Sequence, residues 1–256
     1  MLKLCSAQAE HTRVFVRIQG QHTEETMMKQ AILALMATAG AACADVTTFD
    51  NGTEGWSVSG RDTISPTGGN PGANMDVDVL DVFGADIRNS TAAFTGDYRG
   101  RGNLTFTVDI QINSINMIGN EVSRDLVIEL RNYDTPGWGG FTSIYAHLGT
   151  LSSADTSDWT TFQATLDTSA VDLPGGWFGA GDEDPNTFEP ILPAGVSVQD
   201  VLSGVDEIAF TTFVPGYFFG FTNFIMAVDN VGVVPAPGTG VAMLGVLGLS
   251  TLRRRR

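Results

Sequence analysis

The chain has 256 residues, with 29 Asp and Glu against 14 Lys and Arg, a formal net charge of −15. Such a balance excludes a nucleic-acid-binding surface, which needs Lys and Arg to neutralise phosphates. The two cysteines, Cys5 and Cys43, both lie near the front, so thiol catalysis and cysteine-based zinc sites are excluded from the body of the chain.

In chain order, residues 1–27 are polar and aperiodic with charges of both signs. They read as a mis-assigned start. From Met28 a signal peptide is expected over 28–44: Met28-Lys29 form a short basic region, 31–39 an apolar one, and Ala42-Cys43-Ala44 fits the small-x-small cleavage rule. Cleavage after Ala44 makes Asp45 the mature N-terminus. A lipoprotein signal on Cys43 is the rival reading, but the Leu customary three positions upstream is missing.

The stretch 45–233 suits one domain, long enough to bury a core. It holds six arginines, no lysine and 26 acidic residues, a net charge of −20. That suits an extracellular protein and attracts cations. Leu104-Thr105-Phe106-Thr107-Val108-Asp109-Ile110 alternates over seven residues, the period of a half-buried strand. Further strands are expected at 126–130, 159–166, 208–214 and 224–233, and a short helix at 198–203. Gly, Pro, Asn and Asp clusters at 67–74, 135–140 and 179–185 separate them. The fold class is therefore all-β, an antiparallel sandwich or jelly roll, with an N-terminal signal helix and a C-terminal apolar helix outside it.

Phe49-Asp50-Asn51-Gly52-Thr53-Glu54-Gly55-Trp56 opens this region, followed by Gly68-Gly69-Asn70-Pro71-Gly72 and Phe94-Thr95-Gly96-Asp97-Tyr98. The order resembles the laminin B domain, also called laminin IV type A. The resemblance implies a β-sandwich related to galactose-binding-like and carbohydrate-binding modules. It also implies a structural calcium where the first and last strands meet, with Asp50 or Glu54 near the start and Asp229 near the end at one site. The competing expectation is that Asp229 makes a turn or pairs with backbone amides.

Catalytic residues are not expected. His147, the only histidine in 45–233, sits in the strand-like run Ile144-Tyr145-Ala146-His147-Leu148 without a nucleophile-elbow sequence beside it. The glycines lack the Gly-Lys-Ser/Thr ending of a phosphate loop. Carboxylate pairs are too numerous to single one out for glycoside hydrolysis. The acidic run Gly181-Asp182-Glu183-Asp184-Pro185-Asn186 lacks EF-hand spacing and reads as a solvated loop. Trp138 and Trp177 lie in Gly/Pro-rich stretches, where an exposed ring can stack on a sugar. Alternatively both fold back as lids. Trp56 and Trp159 are expected in the core.

The chain closes with Pro235-Ala236-Pro237, an apolar run over 238–252, and Arg253, Arg254, Arg255 and Arg256. The run of 15 residues makes a helix of about 22 Å, short of the roughly 30 Å hydrocarbon core. Terminal arginines hold the cytoplasmic side. This tail, over 234–256, resembles the PEP-CTERM sorting signal, with Ala236 in place of the usual Glu. The resemblance implies processing by an exosortase-type protease during transient residence in the inner membrane, then delivery to the cell surface or matrix. A plain membrane anchor is the alternative.

The combined expectation is an exported, non-catalytic surface or extracellular-matrix protein that binds polysaccharide. The alternatives are a carbohydrate-active enzyme on a jelly-roll scaffold and a purely structural coat protein.

Overall fold

A computed structural model describes residues 45–58, 60–135, 137, 139–217 and 220–236. Ala42, Ala44, Trp138, Pro237 and Arg253 to Arg256 lie outside the described residues. So do both expected terminal helices.

Among the described residues, fifteen strands and one helix follow in chain order: β1 (Asp45–Thr47), β2 (Trp56–Val58), β3 (Arg61–Gly69), β4 (Gly72–Val82), β5 (Asp86–Asn89), β6 (Asn103–Met117), β7 (Asn120–Glu121), β8 (Arg124–Asn132), β9 (Thr142–Leu151), β10 (Thr160–Asp167), β11 (Trp177–Ala180), β12 (Asp182–Glu183), β13 (Pro190–Ile191), α1 (Val198–Leu202), β14 (Glu207–Thr211) and β15 (Thr222–Pro235). All strand pairing is antiparallel.

One sheet has seven strands, with the path β10-β6-β15-β4-β3 and with β1 on β15 and β7 on β6. A second has six, in the order β11-β9-β8-β14-β5-β2, and β12 with β13 forms a two-stranded sheet. The two larger sheets pack face to face. Leu104, Phe106, Val108 and Ile110 of β6 point inward, and a bulge past Ile112 lets Ile115 point inward as well. Ile128 and Leu130 of β8, Ile144 of β9, and Ile208 and Phe210 of β14 are buried too. Phe106 of the larger sheet meets Trp177 of the smaller edge to face, centroids 5.9 Å apart. Each such side chain contributes about 1.5–3 kcal/mol when fully buried.

Trp56 is in the core, as its alternation with Val58 requires. Its ring lies 5.0 Å from Phe94 and 6.0 Å from Phe210. The preceding Gly55 has φ +89°, and a Cβ there would overlap the Thr91 methyl, so the turn before Trp56 accepts only glycine. Trp159, in contrast, stays half-buried just before β10 and donates through Nε1 to Gly68 O at 3.2 Å.

The helix at 198–202 is set by its cap. Ser197 Oγ accepts from Asp200 N at 3.2 Å, and Asp200 returns a bond to Ser197 N at 2.8 Å. The segment 67–74, expected as a loop, is instead the β3–β4 hairpin and contains a cis Asn70–Pro71 bond. The acidic face of β4 is wet, with Met75, Val77 and Val79 inward and Asp76 and Asp78 outward. No helix among the described residues is long and apolar enough to cross a membrane.

Candidate functional site

Side chains alternate along a strand, so the pairing of the six-stranded sheet lays out its outer face as a grid. Arg131 of β8 lies between Glu207 of β14 and Ser143 of β9, and Glu129 lies between Ala209 and Tyr145. Asp86 and Arg88 come from β5. On the far side, Phe178 of β11 pairs with Tyr145.

The middle of this grid is an ion network around Arg131. Its Nε donates to Glu129 Oε2 at 2.8 Å, and Nη2 reaches the same oxygen at 2.7 Å. Asp86 is held by two bonds, from Nη2 at 2.9 Å and Nη1 at 3.2 Å. Nη1 also donates to Glu207 Oε1 at 2.7 Å. Arg131 thus makes four hydrogen bonds, and the 2.7 Å Nη2–Glu129 contact adds an ion pair. Ser143 donates to the other Glu129 oxygen at 2.6 Å, and Tyr133 Oη donates to Glu207 at 3.0 Å. The half-exposed Arg88 stands 3.8 Å from Asp86 and 4.0 Å from Glu207.

Asp86, Glu129, Arg131 and Glu207 are all buried. Burial pushes the Glu129 carboxyl up, and the charge of Arg131 and the Ser143 hydroxyl oppose it. Burial pulls Arg131 down, but the charges of Glu129 and Asp86 outweigh it, so the guanidinium stays cationic. Tyr145 is pushed up to about 12, first by burial and then by the charges of Glu189 and Glu129.

A cleft of about 430 Å³ opens above this network. One wall is the segment from Ala180 to Glu183 with Pro190, and the other is the loop 213–217. Val214 anchors that loop by packing against Val127, Tyr145 and Ala180. Gly216, at φ +80°, brings the loop against Pro190, where a Cβ would stand 2.9 Å from Pro190 Cδ. Aromatic rings edge the opening: Phe141 lies over Arg131 at 5.2 Å, and Phe213 and Tyr217 line the loop side. Tyr217 is 70% exposed. Beside the cleft, Phe178 is 45% exposed, with its ring 5.5 Å from Tyr145 and 5.9 Å from His147. His147 is exposed on β9, a strand-surface histidine.

Trp177 is not the exposed platform that its Gly/Pro context allows. The β11–β9 register sets it opposite Ala146, turning it inward. It is buried, with Nε1 donating to Thr165 O at 2.9 Å. The same alternation turns Phe178 outward. The signal for Phe178 lay in the sequence, as the neighbour of Trp177 in an alternating strand, but the register decided which of the two faces solvent.

The expected calcium set is brought together only in part. Asp50 and Asp229 meet at the 69–73 turn: Asp50 Oδ1 accepts from Ala73 N at 3.3 Å, and Asp229 Oδ2 accepts from Asn70 N at 2.5 Å. Glu54 instead accepts from Thr47 Oγ1 at 3.4 Å and Asn51 Nδ2 at 3.3 Å. The carboxylate facing Asp229 across β6–β15 is Asp109. Asp109 accepts from Thr161 Oγ1 at 2.6 Å and from the side-chain amides of Asn70 and Asn230 at 3.0 and 2.8 Å. Asp229 also accepts from Asn230 N at 2.7 Å. Among the described residues no trio of His, Cys, Asp or Glu is arranged to hold a metal. Asp50, Glu54 and Asp229 therefore do not come together as a set, and each carboxylate accepts N–H or O–H groups instead. The turn-and-amide role of Asp229 is what the geometry shows.

Of the sorting motif, Pro235 ends β15 opposite Leu104, and Ala236 N donates to Asn103 O at 2.8 Å.

No protein-family model matches the chain, and no curated protein matches it. Solved structures do. A family 11 carbohydrate-binding module from Clostridium thermocellum, in complex with a β-1,3-1,4-mixed-linked tetrasaccharide, is 13% identical over 77% of this chain and 98% of that chain, with TM-score 0.44. The C-terminal family 22 carbohydrate-binding module of a Clostridium thermocellum protein is 12% identical over 78% and 96%, with TM-score 0.40. An exo-β-agarase is 13% identical with TM-score 0.46, and there the match spans 77% of this chain but only 26% of the other.

Proposed function

We propose that this chain is an exported, non-catalytic protein whose sandwich binds polysaccharide on the outer face of its six-stranded sheet. One observation carries the reading: an aromatic-edged cleft of about 430 Å³ sits over an ion network in which Arg131 ties Glu129, Asp86 and Glu207. Rings at a cleft edge supply apolar faces for sugar stacking, and the few polar groups fix orientation. A glycosidase needs one carboxyl to give a proton and another to attack or activate water. Here the Glu129 oxygens are taken by Arg131 and Ser143, and Asp86 is held by both terminal nitrogens of Arg131. Tied in this way, the buried carboxylates of the network are poorly placed to act as that pair. The structural-coat reading gains from the burial of Trp177, but Tyr217, Phe213 and Phe178 remain exposed.

Delivery belongs to the same proposal. The signal peptide over 28–44 and the tail over 234–256, with its arginine block, support export and handling by an exosortase-type protease at the inner membrane.

Affinity electrophoresis against a panel of soluble polysaccharides, paired with a reducing-sugar assay, tests the binding. Retardation without sugar release is expected, and release of reducing ends overturns the non-catalytic reading. Intact-mass analysis of protein from cells with and without the exosortase tests delivery. The expected form starts at Asp45 and ends near Pro237, and retention of Arg253 to Arg256 in both strains overturns processing.

A further inference from the structure

The charge of the cleft bears on the class of sugar it takes. Asp86, Glu129, Asp182 and Glu183 line it together with Arg131. Glu207 is bound to the same guanidinium, and Arg88 stands behind Asp86 and Glu207. Five carboxylates against two guanidinium groups leave an excess of three negative charges. The excess is not spread evenly. Asp86, Glu129 and Glu207 are buried and tied to Arg131, whereas Asp182 and Glu183 are exposed on β12 and have no ion-pair partner among the described residues. The wall continues through Asp184 and Glu189 without a basic residue. Phe213 and Tyr217 line the same cleft, and aromatic ring faces attract cations. Exposed carboxylates together with aromatic rings in one cleft suit a ligand that carries ammonium groups on an otherwise apolar-faced ring. Uronate and sulfate sugars meet like charge instead.

We propose that this cleft selects polysaccharides bearing free amino groups, polymers of deacetylated hexosamine, over neutral and uronate-bearing ones. This rests on the polysaccharide-binding reading above and narrows it.

The test is calorimetric titration of the full chain with four hexamers: glucosamine, N-acetylglucosamine, glucose and galacturonate. It is run at about pH 6, where amines of this kind are protonated, in low and high salt. The glucosamine hexamer is expected to bind about fivefold more tightly than its acetylated counterpart, the scale of one or two exposed ion pairs. The advantage should shrink as salt screens it. Asp182→Asn with Glu183→Gln should remove the advantage of the amino hexamer over the acetylated one. Both positions are exposed, so folding is not at stake. Equal affinity for the amino and acetylated hexamers overturns the selectivity and leaves polysaccharide binding standing. Galacturonate binding most tightly overturns the charge argument. If none of the four hexamers binds, the selectivity fails together with the binding reading.

Discussion

Arg131 lies beneath Phe141, its guanidinium carbon 5.2 Å from the ring centroid. The ring covers a cation that donates four hydrogen bonds to Glu129, Asp86 and Glu207. Replacing Arg131 with Leu strands three buried carboxylates. A loss of about 3–5 kcal/mol is expected, the cost of leaving buried charge unpaired, measured by urea denaturation. Arg131→Lys keeps the charge but not the fork, and should lose less.

Trp177 and Tyr217 should separate stability from binding. Trp177→Ala removes a buried ring packed on Phe106 and is expected to cost about 3–5 kcal/mol of stability. Tyr217→Ala alters an exposed side chain, and its stability should stay within about 0.5 kcal/mol of the parent. Polysaccharide affinity should fall about two- to tenfold, the scale of one aromatic contact. Thermal melts and titrations on the two variants check the pair.

Asp229 predicts a pH dependence. Burial pushes its carboxyl above the ordinary 3.8, the amides of Asn70 and Asn230 oppose the shift, and the charges of Asp109 and Asp50 add to it. The folded state therefore holds this proton more tightly than the unfolded chain does. The contribution is fully present below pH 3.8 and is lost as pH rises through the folded value. Subtracting the Tm of Asp229→Asn from that of the parent, between about pH 4 and pH 7, should give a difference that falls with rising pH. A difference that rises would show the ionised form to be the favoured one.

Calcium should leave stability unchanged. Asp109 and Asp229 accept their hydrogen bonds from Asn70, Asn230 and Thr161, and Glu54 is turned toward Thr47. A true site at about 100-fold excess of ion over Kd adds about 2.7 kcal/mol. Equal Tm values in chelator and in millimolar calcium are expected, and a clear rise would show that the amides give way to the ion.

Much of the fold is local in origin. The alternation in 104–110 and 224–233 is that of β6 and β15, and Ser197 with Asp200 closes the cap of α1. Asp76 and Asp78 fall on the wet face as period two requires. By the same rule Val127 and Glu129 should sit on a solvated face, yet β8 is buried on both sides. The segment Ala180 to Glu183 and the loop 213–217 wall that face, and nothing near Glu129 in the chain announces them.

By itself, then, the amino-acid sequence determined the all-β class, several strands, the short helix, and the motifs at either end that suggest export. Only the tertiary structure decided where the charges lie. Arg131 finds Asp86 and Glu207 at separations of 45 and 76 residues, and Trp177 goes inside while Phe178 stays out because of the β11–β9 register. The physical reason is that strand propensity and alternation act over a few residues. Burying a charge, in contrast, depends on which distant strands become neighbours, and sheet order alone settles that.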